Sequence, residues 1–235
     1  MQKEPRILAI IPARGGSKGI KNKNIIKVNE KPLISWTIEA SLNSAYISRT
    51  VVSSDDENII AVAKSLGCDA PFKRPKELAQ DHTPSIDVVT HALKKLKNFD
   101  YVILLQPTSP LRDSEDIDKA IQLMLEKKSK SCASVTLVKK SPYWMYKINE
   151  KNLKLINIIK SDKEYLRRQD LPDVYALNGA IYINEVEELN KTQKLVSDKT
   201  IGYIMPHAKS LDIDNLEDLD NFKRFLWKNS LKEEI

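Results

Sequence analysis

Short apolar runs alternate with amphipathic stretches along the whole chain. Residues 7–11 and 101–105 are continuous apolar runs bounded by turn residues, the pattern of strands buried on both faces. Residues 50–53, 133–138, 180–183 and 201–205 read as further strands. Between them, apolar residues recur at the three- and four-residue spacing of a helix face. One helix opens at Pro32 and carries Leu33, Trp36, Ile38 and Leu42. A second carries Ile59, Val62, Ala63 and Leu66, with Ser54 or Asp55 as its cap and Gly67 ending it in a left-handed turn. Thr83-Pro84 reads as a cap and first turn for Ile86, Val89, Leu93 and Leu96. Ile117, Ala120, Ile121, Met124 and Leu125 form the cleanest stripe, and Leu216, Leu219, Phe222 and Leu226 a last helix.

Strands alternating with helices of this length predict an α/β fold: three layers, a mostly parallel sheet with helices on both faces. Residues 141–176 break the rhythm with prolines, aromatics and the basic pair Arg167-Arg168. They read as an insertion, within a single domain over residues 1–235, that covers the site or makes an oligomer contact.

Composition narrows the function classes. Hydrophobic residues at 41% and charged residues at 30%, with 38 basic and 32 acidic side chains, describe a globular protein rather than a disordered one. No apolar run approaches the roughly 18 residues needed to span a bilayer, and the N-terminal run ends too soon for a signal peptide, so no membrane association is expected. The net charge of +6 comes from lysines scattered along the chain. With no aromatic RNA-binding strand and no recognition helix, it does not argue for a nucleic-acid partner. Cys68 and Cys132 are far apart and outside any CxxC, which fits reduced core thiols in a cytoplasmic protein. His82, His91 and His207 lack zinc-ligand spacing.

Glycine is the informative count. The chain has 6 glycines, where average usage near 7% would give roughly sixteen. Three of them, Gly15, Gly16 and Gly19, fall within five residues of the loop after the first strand. That loop also carries Arg14, Lys18, Lys21 and Lys23. Glycines admit a phosphate close to backbone N–H groups, and ligands of open parallel sheets bind at the carboxyl ends of strands. Two common phosphate motifs fail on spacing. GxGxxG would need glycine at position 14 or 17, and GxxxxGK[ST] would need it at position 20, where Ile20 stands.

The run Ile10-Ile11-Pro12-Ala13-Arg14-Gly15-Gly16-Ser17-Lys18-Gly19, with Lys23-Asn24 and Lys31-Pro32-Leu33, resembles the N-terminal signature of the acylneuraminate cytidylyltransferases. The resemblance continues at Gln106-Pro107-Thr108-Ser109-Pro110-Leu111-Arg112, Arg168-Gln169-Asp170-Leu171-Pro172, Asn178-Gly179-Ala180 and Asp212-Ile213-Asp214, in the family's order over almost the entire chain. It implies an enzyme that joins CTP to a nonulosonic acid, an acidic nine-carbon sugar, and releases pyrophosphate. Gly19-Ile20 after Ser17-Lys18 resembles the sialic and legionaminic acid branches more than the pseudaminic one. Alternatives are pseudaminic acid, another 2-keto acid sugar, or a sugar 1-phosphate as the acceptor; the last usually accompanies a GTR-like glycine loop, which is absent.

By the same resemblance, Arg14 and Lys23 contact the CTP phosphates, with Gly15, Gly16, Ser17, Lys18 and Asn24 completing the loop. Arg74 and Ser85 hold the base and ribose, and Gln106, Arg168, Gln169 and Asn178 meet the sugar, the Arg168 guanidinium pairing with the sugar's carboxylate. Asp212 and Asp214, two apart on an extended segment, share one face and could clamp Mg2+. Asp214 could instead cap the helix that begins near Asn215. The family further implies a homodimer reached through the 141–176 excursion.

Overall fold

The computed structural model describes residues 4–161, 163 and 165–233. Its main sheet is built from β1 (Ile7–Pro12), β2 (Arg49–Ser53), β3 (Tyr101–Leu105), β4 (Ser131–Leu137), β5 (Tyr175–Glu185) and β6 (Ile201–Ile204). The order across it is β6-β4-β5-β3-β1-β2. β1 runs parallel to both β2 and β3, with Ile10 opposite Val51 and Leu104.

Alternation along β1 shows why the sheet is covered twice. Ile7, Ala9 and Ile11 pack with Ile34 and Ile38 of α1 (Leu33–Leu42), Ile59 and Ala63 of α2 (Glu57–Ser65), and Ile117 and Ile121 of α4 (Ser114–Glu126). Leu8 and Ile10 face the other way, against Val89 and Ala92 of α3 (Ser85–Lys95) and Leu189 of α5 (Val186–Thr192). A third cluster lies off the sheet. Leu219 and Phe222 of α6 (Leu216–Glu233) pack on Ile213, Ile20, Val28 and Leu33. That cluster fixes the C-terminal segment against the glycine loop.

Only β5 runs antiparallel within the main sheet. β4 ends at Leu137 on the carboxyl edge, and the chain returns at Tyr175, which pairs with Leu137 itself. A parallel return needs a crossover to the far edge, usually a helix. Among its described residues the intervening segment holds two short turns, Pro142–Trp144 and Arg168–Asp170, and a hairpin of Tyr146–Ile148 with Leu155–Asn157. Tyr175 and Ala176, expected within the excursion, therefore belong to an eleven-residue strand.

Two caps differ from expectation. Asp56, not Ser54 or Asp55, caps α2 by accepting from the N–H groups of Asn58 and Ile59. Asp55 is used elsewhere, accepting the Gly15 N–H at 3.1 Å. Thr83 does not cap α3; its hydroxyl accepts from the Gln80 N–H inside the preceding turn. Gly67 ends α2 at φ +76°, as its position predicts. Cys68 and Cys132 are buried and unpaired, and burial pushes both thiols up to about 12. Among the described residues no helix is long and apolar enough to cross a membrane.

Candidate active site

β1 feeds one neighbour on each side, so the crevice beyond the carboxyl ends of β1 and β3 is the topological switch point of the sheet. A cleft of about 580 Å³ opens there. Of the residues singled out from sequence, Arg14, Ser17, Lys18, Lys23, Asn24, Arg74, Ser85, Gln106, Asp212 and Asp214 line it.

Two of the three loop glycines are required by close packing. Gly15 donates its N–H to Asp55, and a Cβ there would meet the Asp56 carboxylate at 2.6 Å. A Cβ on Gly19 would sit 2.4 Å from the carbonyl oxygen of Asp214. Those two glycines let the loop close onto its neighbours, one at each end. Gly16 faces open space, and neither Gly15 nor Gly16 lines the cleft.

Lys23 locks the same junction. Its ammonium donates to the Ile213 carbonyl at 2.7 Å and to Asp214 Oδ1 at 3.0 Å. Asn24 is buried, and its amide donates to the Arg14 carbonyl at 2.9 Å, holding the loop's entry. That amide shapes the loop at the edge of the cleft that Asn24 also lines.

On the facing wall, Arg74 lies 4% exposed, its Nε and Nη2 without a hydrogen-bond partner and Nη2 in a long 4.0 Å ion pair with Asp55; its backbone is tied to Ser54 by a 2.7 Å hydrogen bond. Burial pulls its pKa below the usual guanidinium value, with Asp55 opposing and Arg14 reinforcing that fall. An arginine so placed is a donor waiting for an acceptor.

The loop after β3 is held by backbone hydrogen bonds. The Ser109 backbone N–H donates to the Gln106 carbonyl, and the Thr108 carbonyl accepts from the Ile213 N–H at 2.8 Å. Beneath it lies Arg112, 1% exposed, whose Nη2 donates to Thr37 Oγ1 at 2.9 Å and to the Gln106 carbonyl at 3.4 Å. Burial lowers that guanidinium to about 10.

The two carboxylates are unlike each other. Asp212 is raised above the usual carboxylate value mainly by burial, against a hydrogen bond from Thr108, and neighbouring Asp214 adds to the rise. Asp214 is largely exposed, at 74%, and paired with Lys23. It does not cap α6. Asn215 does, accepting from the Asp218 N–H at 3.0 Å, while the Asp218 carboxylate accepts from the N–H groups of Asp214 and Asn215. The Asp214 carboxylate is thereby left to the cleft.

Three residues expected at the sugar are placed elsewhere. Arg168 lines a separate cavity of about 460 Å³ with Trp144, Met145 and Leu171, and Gln169 is exposed in the same turn. Asn178 is buried inside β5, accepting from Ser134 Oγ at 2.5 Å and donating to Ser210 Oγ at 2.9 Å. It pins a bulge: opposite Ala133 and Val135, β5 advances from Tyr182 to Leu177. Gly179 in that bulge takes φ +79° and lines the cleft beside Tyr182. Tyr182, Thr108, Gln80 and Asp81 also line the cleft. Thr108 lies in the resembling run 106–112 and Tyr182 in an expected strand, whereas Gln80 and Asp81 belong to no periodic or spaced pattern that would single them out. Among the described residues, none of the excursion lines the cleft.

A glycine-shaped basic loop facing a carboxylate pair, at the switch point of a mostly parallel sheet, defines a nucleotidyltransferase-type α/β protein. The chain belongs to the cytidylyltransferase family, whose model matches residues 8–234. It is 36% identical over 216 residues to the N-acylneuraminate cytidylyltransferase of Escherichia coli O18:K1:H7, covering 92% of this chain and 51% of that one. The chain thus spans about half the length of that relative. It is 36% identical to a pseudaminic acid cytidylyltransferase of Campylobacter jejuni, covering 94% and 96% of the two chains. It is 35% identical to the CMP-N,N'-diacetyllegionaminic acid synthase of Legionella pneumophila, covering 89% and 91%. Among solved structures, a CMP:2-keto-3-deoxy-manno-octonic acid synthetase complexed with CTP shares the fold, with TM-score 0.72, 17% identity, and coverage of 95% and 99%.

Proposed function

We propose that this chain transfers the cytidylyl group of CTP to the 2-hydroxyl of a nonulosonic acid, giving the CMP-sugar and pyrophosphate. The observation that carries the reading is the convergence of Arg14, Lys18 and Lys23 with Asp212 and Asp214 in one cleft. Relatives named for N-acylneuraminate, legionaminic and pseudaminic acid support the acceptor class.

In the reaction, the sugar oxygen bonds to the α-phosphorus, the bond from that phosphorus to the bridging oxygen breaks, and the sugar proton is lost. Catalysis of this type rests on positioning and electrostatics. Arg14 and Lys18 neutralise the phosphates, and Arg74 and Ser85 take the base and ribose. Gln106, on the loop after β3, meets the sugar.

Asp212 and Asp214 fit a magnesium site. Burial raises the proton affinity of Asp212, and neighbouring Asp214 adds to it, a rise that a bound cation would reverse. Among the described residues no third acidic, histidine or cysteine side chain joins them. That matches an ion that takes one or two carboxylates and completes its shell with phosphate oxygens and water. Bound there, magnesium supplies charge neutralisation at the α-phosphate and a more acidic sugar hydroxyl. Use of CTP and two free thiols suits the cytoplasm.

With CTP and magnesium, N-acetylneuraminic or legionaminic acid is expected to release pyrophosphate stoichiometrically with CMP-sugar, and a hexose 1-phosphate is not. Absence of release with every nonulosonic acid, pseudaminic acid included, would refute the reading.

We also infer a homodimer through the excursion. Trp144, Ile148, Leu155, Ile156 and Leu166 are 43–79% exposed along it, an apolar surface that a lone soluble chain rarely presents. Sedimentation should give about twice the 26.8 kDa chain mass, and Ile148→Asp with Ile156→Asp should return the monomer.

A further inference from the structure

One carboxylate in the cleft has no place in the chemistry above. Asp81 Oδ1 pairs with Arg14 Nη1 at 2.5 Å, and its Oδ2 pairs with Lys18 Nζ at 2.5 Å. All three residues line the cleft. Each carboxylate oxygen thus takes one cation of the glycine loop, the arrangement that two oxygens of a phosphate group would adopt.

The segment that carries Asp81 is built to hold itself together. Gln80 donates its N–H to Thr83 Oγ1 at 3.1 Å, and Thr83 returns its own N–H to the Gln80 carbonyl at 3.1 Å. The Gln80 side-chain amide donates to the Lys76 carbonyl at 2.7 Å, and Thr83 Oγ1 donates to the Glu77 carbonyl at 3.3 Å. These bonds stay inside residues 76–83. Asp81 reaches across the cleft to the opposite wall, through two ion pairs that remain partly exposed. Such pairs are weak and readily exchanged for a better anion.

We propose that Asp81 is an internal stand-in for the nucleotide's phosphate oxygens, holding Arg14 and Lys18 in the cleft until the triphosphate displaces it. The inference rests on reading this cleft as the triphosphate site. A competitor built into the site lowers the affinity for every polyphosphate. It therefore also helps the pyrophosphate product to leave, since the same two cations can return to Asp81. The carboxylate suits the role because its two cations hold its pKa below the usual value, so it stays charged whenever no ligand is bound.

The test measures binding of inorganic tripolyphosphate, which lacks base and sugar, by titration calorimetry to the wild-type chain and to D81N. Replacing the carboxylate by an amide of the same shape removes two competing ion pairs, so D81N is expected to bind about 3- to 30-fold more tightly. The gain should shrink when Lys18→Ala is added, since one displaced partner is then already missing. Equal or weaker binding by D81N, at an unchanged melting temperature, overturns the proposal. If D81N melts early, hydrogen exchange on the wild-type chain decides instead. Faster exchange of the amides of residues 78–83 on adding tripolyphosphate supports displacement, and slower or unchanged exchange overturns it. A wild-type chain that binds neither tripolyphosphate nor CTP would sink the triphosphate reading itself. Binding without the D81N gain sinks only the role of Asp81.

Discussion

Arg14→Ala is expected to lower turnover about 100- to 1,000-fold with CTP and sugar both saturating, the cost of removing one preorganised donor from a developing anion. Pyrophosphate release measures it. The melting temperature should move by no more than about 2 °C, because the ion pair lost, to Asp81, is partly exposed. The loop itself keeps its shape, since Asn24 grips the backbone carbonyl of Arg14 and not its side chain. A loss concentrated in CTP affinity, with turnover at saturation intact, would mean that Arg14 binds the ground state and transition state equally. Turnover within threefold of wild type would remove Arg14 from the chemistry.

Asp214→Ala is the second large effect. Its carboxylate belongs to the cleft and not to the helix cap, which Asn215 and Asp218 supply between them. Turnover should fall about 100-fold or more, and the magnesium concentration giving half-maximal rate should rise. Asp214→Asn separates the two partners of this side chain. The amide oxygen can still accept from Lys23, now at 3.0 Å from Oδ1, yet the charge that would attract magnesium is gone. Both variants should therefore lose activity alike. An asparagine variant with wild-type magnesium dependence would assign Asp214 to holding Lys23 and leave the metal to other groups.

How far these residues could be read in advance depended on what each signal reports. The strands at 7–11 and 101–105 and the helix stripes were legible because burial on a repeating element imposes a period on the chain. The cationic loop was legible because glycine is rare elsewhere in this sequence. Asp81 was not, because its part comes from reaching across the cleft to Arg14 and Lys18, 67 and 63 residues earlier, and no period encodes that. Arg168 shows the opposite case. It sits in a resembling motif, yet the fold of one chain carries it into a separate cavity beside Trp144.

The sequence by itself determined the α/β layering, the place of the basic loop after the first strand, and the order of the motifs, since all are local in the chain. Only the tertiary structure decided that β5 runs antiparallel, that Asn178 braces a bulge, and that Gly15 and Gly19 sit where a side chain would strike Asp56 and Asp214. The reason is the same in each. A strand's direction depends on which edge the chain returns from, and a glycine's purpose depends on what faces it: for Gly19, the carbonyl of Asp214, 195 residues away.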